Sequence, residues 1–419
     1  MAFTQVGTTN IIDFCTPMKK DEFCPSMEEN RVFHITEEPV SYIAPLLKFN
    51  TLGDFNVYSA EYGGTEYSGD IKFHGPFHPL NQTRKDTFVA HLQNASIIPG
   101  VFCILNSQNQ IVFPNTYLDA SQKEFWYYSD RTDLMITRRR IHSKEKIEIE
   151  YFINSDLPTI HINEPCILLS SQSSSNIYHW LIESIPRLWI LDYWPELRNA
   201  KFIVHNLNDH KLAILSEKFS IPLENLISLD SAAKYTFTSL IYPSALCDIA
   251  NVPKKFDFLR HLFGVPKQKN AIKAEKSRRY YITRRDTQLG RGVINEKEII
   301  LMLNQLGIEE LVMSEHTLDE LAQIFSNADI LIGPMGSGLI NMIYMPPKSA
   351  VIEMSTRSWG GLFWAMGSGC GHRYYVIGSE WDQYLSNRNK PFTFGMPDAM
   401  EFDIEKLKLV VERAISEST

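Results

Sequence analysis

His179 and Glu183 stand four residues apart in the run Asn176-Ile177-Tyr178-His179-Trp180-Leu181-Ile182-Glu183-Ser184-Ile185-Pro186-Arg187, so on a helix they share one face and can hydrogen-bond. A carboxylate that holds one ring nitrogen of an imidazole fixes its tautomer and strengthens the other nitrogen as a base. That is the chemistry needed to take a proton from an acceptor hydroxyl. The same spacing also describes an ordinary surface ion pair, and spacing alone leaves both readings open. Pro186 lies inside the helical pattern, where a proline costs about 3 kcal/mol and kinks or ends the helix. Arg187 follows near the end of the same face, available to a phosphate or carboxylate, or simply exposed.

A second cluster, Thr283-Arg284-Arg285-Asp286-Thr287-Gln288-Leu289-Gly290-Arg291-Gly292, directly follows a predicted strand. Guanidinium groups offer paired donors and glycine lets the backbone approach, so Arg284, Arg285 and Arg291 suit a diphosphate; a solvated basic turn is the competing account. One strand later comes Gly333-Pro334-Met335-Gly336-Ser337-Gly338-Leu339-Ile340-Asn341, a strand end, a glycine turn and a helix start, where exposed amides form a natural anion site. Gly336, Ser337, Gly338 and Asn341 are its candidate donor-binding residues. It matches neither G-x-G-x-x-G nor G-x-x-x-x-G-K-[ST], which speaks against a dinucleotide oxidoreductase and a P-loop enzyme. Glu353 closes a further predicted strand at the same edge, where an acid commonly takes ribose hydroxyls; a buried salt bridge is the alternative.

Other chemistries find little support. Cys370-Gly371-His372 supplies two soft ligands at most, short of a structural metal site, and no D-x-D occurs, so no metal and no cofactor is expected. A net charge of -8 makes nucleic acid an unsuitable partner. The six cysteines form no C-x-x-C pair and read as reduced thiols, and the first residues, Met1-Ala2-Phe3-Thr4-Gln5-Val6, begin no secretory signal, which together suggest a cytoplasmic protein. The 18 uncharged residues Ile330–Pro347 have the length of a membrane span. Their three glycines and three prolines fit a buried strand, turn and short helix instead.

These side chains need elements to position them. Residues 1–155 are rich in aromatics and turn formers, with strands predicted at 110–113 and 146–152, and read as a strand-rich N-terminal region. Beyond it, a strand at 165–169, a helix over 178–194 and a strand at 201–204 begin the alternation of a parallel sheet, in a region taken as 156–265. The polar interval 266–276 reads as a linker into a second such region, 266–400. There, strands at 279–283, 329–332 and 350–353 alternate with helices at 295–306, 317–327 and 336–345, the second opened by a Thr317/Glu320 capping box. Such alternation predicts a doubly wound α/β sheet whose ligand sits beyond the carboxyl ends of its strands. A packing helix occupies 401–419.

The block from Arg279 to Glu353, above all Ala328-Asp329-Ile330-Leu331-Ile332-Gly333-Pro334-Met335-Gly336-Ser337-Gly338-Leu339-Ile340-Asn341-Met342 through Met345-Pro346-Pro347, resembles glycosyltransferase family 61. Tyr178-His179-Trp180-Leu181-Ile182-Glu183 and Pro186-Arg187-Leu188 resemble that family's other recurrent block. The resemblance implies a GT-B fold of two Rossmann-like domains and inverting sugar transfer without an essential metal, in bacterial relatives for capsule or lipopolysaccharide. It implies a nucleotide diphosphate sugar bound by the 266–400 region and an oligosaccharide or lipid-linked acceptor presented by 156–265, with peripheral membrane contact. His179 would be the base, Glu183 its orienting acid, the three arginines the diphosphate clamp and Glu353 the ribose contact. Relatives usually carry histidine where this chain has Met335. Rival readings are a nucleotide-sugar epimerase or hydrolase of the same architecture, and a glycan- or nucleotide-binding protein without turnover.

Overall fold

The computed structural model describes residues 3–35, 87–113, 136–266, 278–286, 292–382 and 399–418, less 7, 11–14, 26, 100–102, 143–146, 171–173, 206, 231, 245–251, 356–357, 360–361 and 380, together with strand segments at 41–42, 47–52, 55–60, 72–73 and 82–83. The chain divides into two compact units, 1–40 with 84–251 and 41–83 with 252–419.

In the first unit, Cys166-Ile167-Leu168 and Phe202-Ile203-Val204 are buried throughout, the continuous apolar pattern of strands covered on both faces. They lie in the parallel part of an 11-stranded sheet ordered Leu226–Ser228, Lys201–Val204, Cys166–Leu168, Lys234–Pro243. From Cys166–Leu168 the chain runs outward through two strands and returns on the opposite side as Lys234–Pro243. The order therefore reverses between these last two strands, and their carboxyl ends flank the switch point. Thr87–Ile98 continues the sheet antiparallel to Lys234–Pro243, with Val89 opposite Pro243 and Ile97 opposite Tyr235. His91 is buried in that strand because both ring nitrogens are met, by Ser239 Oγ at 2.8 Å and the Glu29 carbonyl at 3.1 Å.

The second unit holds a 7-stranded sheet. Five strands are parallel in the order Glu309–Leu311, Arg279–Ile282, Ile330–Pro334, Ala350–Ser355, Arg373–Gly378, and Phe55–Ala60 with Leu47–Leu52 extend it antiparallel. Its switch point falls between Arg279–Ile282 and Ile330–Pro334. Helices Glu296–Gln305 and Ile404–Ser416 lay Ile299, Leu303, Leu407, Val410 and Val411 into one core with Tyr281, Ile330, Ile332 and Ile352. The capping box forms as expected: the Glu320 amide donates to Thr317 Oγ1 at 3.2 Å, and the Thr317 amide to Glu320 Oε2 at 2.8 Å.

The units differ from the domain bounds the sequence suggested. Residues 1–155 are no separate region: 41–83 join the second unit and the rest join the first. Helix Val252–Leu262 belongs to the second unit rather than to 156–265, because Arg260 caps that unit's helix Ser337–Tyr344, its Nη1 donating to the carbonyls of Ile343 at 2.7 Å and Met345 at 3.0 Å. The terminal helix, Ile404–Ser416, packs into the second unit's core through Leu407, Val410, Val411 and Ala414. Most of the expected linker, from 267 on, lies outside the described residues. The uncharged stretch Ile330–Pro347 folds as a strand and a short 3-10 helix, and no described helix is long and apolar enough to cross a membrane.

His372 ties this unit's stability to pH. It is buried, its Nε2–H donates to the Met342 carbonyl at 2.8 Å, and burial, aided by the charges of Arg260 and Arg373, pushes its pKa down to about 4 against the opposing main-chain bond. A depressed folded value means the unfolded chain binds the proton first, so the contribution is complete above about 6.5 and is lost as pH falls toward about 4. Thermal unfolding across that window should show a falling melting temperature with a shallower slope in His372→Gln. Identical slopes would assign the dependence to other groups.

Candidate active site

Asn176 opens the first unit's helical segment, its Oδ1 accepting the Tyr178 amide at 2.8 Å. One α-turn, Ile177–His179, passes into a π-turn over Trp180–Ser184, a 3-10 stretch over Ile185–Trp189 and an α-turn over Ile190–Tyr193. Pro186 is the physical reason: it has no N–H to offer the Ile182 carbonyl, so the chain widens before it and the Ile185 amide reaches back five residues to Trp180 O. Trp180, Leu181, Ile182, Ile185 and Leu188 anchor the buried side of this segment. The expected kink is thus a change of helical pitch.

His179 and Glu183 keep their partnership through that change. Nδ1 and Glu183 Oε1 are 2.6 Å apart, with the side chains 33% and 28% exposed. An ionised carboxylate only accepts, so Nδ1 carries the proton and Nε2 presents its lone pair. Among the described residues Nε2 has no hydrogen-bond partner, and the ring is held edge-on to Tyr178 with centroids 5.1 Å apart. Arg187 differs from its expected place. It is 6% exposed, and its Nε donates to the Glu183 carbonyl at 2.8 Å. Its guanidinium is committed inside the fold, not offered to a phosphate.

In the second unit the arginine loop and the glycine turn leave adjacent parallel strands at the switch point, Tyr281 lying opposite Ile332. A Cβ on Gly338 would sit 3.2 Å from Ile282 Cγ2, and one on Gly333 3.3 Å from Ile282 Cβ, so these glycines let turn and helix start close onto the end of the first strand. Gly336 leads into Ser337–Tyr344 in extended backbone. Asn341 is buried and donates to the Gly338 carbonyl at 2.8 Å, which fixes the turn from within; Ser337 is half-buried. Met335 is half-buried too, its amide bonded to Met354 O at 2.8 Å and its sulfur accepting from Ser355 Oγ at 3.5 Å.

Arg284 is half-buried, and burial pushes its pKa down against the opposing charges of Asp286 and Glu296. Arg285 points its Nη1 to within 3.1 Å of Glu310 Oε1 and is 57% exposed. Arg291 lies outside the described residues. Glu353 does not close its strand, which runs on to Ser355; it is 1% exposed and its Oε2 accepts the Tyr374 hydroxyl at 2.7 Å. A ribose contact needs an accessible carboxylate, and Glu353 is an interior one. The loop's organiser is instead Glu296. Its Oε1 accepts Tyr281 OH and Thr283 Oγ1, both at 2.9 Å, and the Arg284 amide at 3.4 Å. Its place at a helix start, 12 residues after Arg284, is the sequence signal for that role. No three described His, Cys, Asp or Glu side chains gather as metal ligands.

The sequence model of one family, Glycosyltransferase 61, matches residues 177–352, which include both regions just described. Alpha-1,3-arabinosyltransferase XAT2 of Oryza sativa subsp. japonica is 25% identical over 134 residues, 30% of this chain and 22% of its own length; XAT3 of the same plant matches equally. Protein O-linked-mannose beta-1,4-N-acetylglucosaminyltransferase 2 of Takifugu rubripes is 28% identical over 104 residues, 24% of this chain and 18% of its own. The chain thus spans about a fifth of the length of these relatives. They are glycosyltransferases that differ in the sugar they are named for. Residues 177–352, which hold both of the regions described above, thus match the sequence model of glycosyltransferase family 61.

Proposed function

We propose that this protein is an inverting glycosyltransferase that takes its sugar from a nucleotide diphosphate sugar bound at the switch point of the second unit. The observation that carries the reading is the convergence there of Arg284, on a loop held by Glu296, with the turn Gly336-Ser337-Gly338. A guanidinium supplies charge and main-chain amides supply directed donors, which together neutralise a leaving diphosphate. His179 Nε2 takes the proton of the acceptor hydroxyl; the oxygen attacks the anomeric carbon from the face opposite the diphosphate, whose bond to the sugar breaks, so configuration inverts. Glu183 holds the proton on Nδ1 and balances the imidazolium formed. The acceptor in this reading is a growing or lipid-linked oligosaccharide, as in capsule or lipopolysaccharide assembly, met at the inner face of a membrane.

Arg284→Ala should weaken nucleotide binding by about 1.5–3 kcal/mol, the range for hydrogen bonds to charged groups. Arg285→Ala should cost less, because its guanidinium already faces Glu310. Calorimetry on both variants tests the clamp, and equal, unchanged affinities would remove it.

With arginine and amides carrying the diphosphate charge, turnover should survive EDTA. A loss restored by magnesium or manganese would assign the charge to a cation instead.

His179→Ala should lower turnover by about 10²–10⁴, the usual contribution of a general base, with donor affinity and melting temperature nearly unchanged. Glu183→Gln should lose less, since it keeps the shape and removes only the charge. Turnover within about threefold of wild type in His179→Ala would move the base elsewhere.

A further inference from the structure

Arg187 is a buried cation with no carboxylate partner among the described residues. A guanidinium in the interior costs several kcal/mol unless its donors are met, so its partners matter. Nε donates to the Glu183 carbonyl at 2.8 Å, Nη1 reaches the Leu168 carbonyl at 3.5 Å, and the guanidinium lies 4.8 Å from the Tyr242 ring centroid. Leu168 ends Cys166–Leu168 and Tyr242 lies near the end of Lys234–Pro243, the two strands that flank the first unit's switch point. One side chain therefore spans the rigid edge of the sheet and fastens to it the residue that holds His179.

The segment needs such a fastening. Its π-turn and Pro186 disrupt the regular ladder of amide donors in the turn that carries Glu183, where a helix would otherwise set side-chain directions by itself. A planar fork with several fixed donors can hold a main-chain carbonyl and a strand end at once, which the single ammonium of a lysine cannot do with the same geometry.

We infer that Arg187 is a positioning residue: by holding the Glu183 carbonyl against the sheet edge it sets the carboxylate that orients His179. This rests on the proposed role of His179 as base. The chain of contacts runs Leu168 and Tyr242, Arg187, Glu183, His179, and donor binding in the second unit plays no part in it.

Arg187→Gln and Arg187→Lys, each made alone and with His179→Ala, test the inference by steady-state kinetics and by nitrogen-15 NMR of the His179 Nδ1–H, assigned by its absence in His179→Ala. Arg187→Gln should lower kcat about 10–100-fold, as loss of an outer-shell partner does, with donor KM within about twofold. It should cost nothing further once His179 is gone, because the two act as one unit. The Nδ1–H resonance should shift or vanish, and Arg187→Lys should restore it only in part. The same fractional loss of turnover with and without His179, or an unchanged Nδ1–H resonance, would overturn the inference and leave Arg187 a packing residue. If His179→Ala keeps wild-type turnover, the base assignment fails, while the resonance still decides whether Arg187 sets the geometry of the pair. Should Arg187→Gln fail to fold, Arg187→Lys carries both readouts.

Discussion

Parallel strands leave every following loop at one edge of the sheet, and where the strand order reverses, two of those loops face each other with no strand between their origins. Both units are built on that constraint. In the second it brings a loop at 283–286 beside a turn at 333–338, some 50 residues later, and the contact of Ile282 with Gly333 and Gly338 is its physical expression. A side chain at either glycine would have to displace the end of the first strand. The meeting of loop and turn at this edge and the packing of the core beneath it are thus consequences of one approach distance.

The interior of each unit also contains cations that serve main-chain carbonyls. Arg260 closes the end of Ser337–Tyr344, Lys211 Nζ donates to the carbonyls of Ser174 at 2.7 Å and Ser175 at 3.4 Å, and Arg187 takes that of Glu183. The ends and irregular turns of helices leave carbonyls without amide partners, and a buried carbonyl left so costs as much as a lost hydrogen bond. A long cationic side chain meets several at once and buries its stem in the process. Desolvation lowers the pKa of Lys211 and of Arg260, yet the fold retains both where an apolar residue would leave carbonyls unmet.

Legibility in the sequence followed how local the cause was. The strand at 201–204 and those around 166, 279, 330 and 350 are short apolar runs buried on both faces, and the Thr317/Glu320 box lies within four residues, so pattern alone locates them. Thr87–Ile98 is different. Its place is set by partners about 150 residues away, and polar His91 is buried only because Ser239 and Glu29 supply its bonds. The same holds for Leu47–Leu52 and Phe55–Ala60, which add to a sheet built mostly from the other end of the chain. In the site, the His179 and Glu183 pair was readable because a four-residue spacing survives even a π-turn. Arg187 and Glu353 were misplaced because burial is a tertiary property: a charged residue at the end of a pattern looks exposed until the strands that cover it are known.

Met335 shows what the turn can and cannot contribute. The histidine that the family resemblance leads one to expect there could donate a hydrogen bond and hold a charge beside a phosphate. A thioether does neither, and here its sulfur accepts from Ser355 while its amide is spent on Met354. What the turn still offers an anion is main-chain amides beyond Met335, at Gly336 to Gly338, which give direction but only partial charge. Full positive charge at this edge then has to come from the first strand's loop, and there Arg285 faces Glu310 while Arg284 is half-buried and anchored at its amide by Glu296. In the proposed donor site the electrostatic demand then falls on the arginine loop, and the carboxylate of Glu296, which shapes the described part of that loop, is as consequential as its cations.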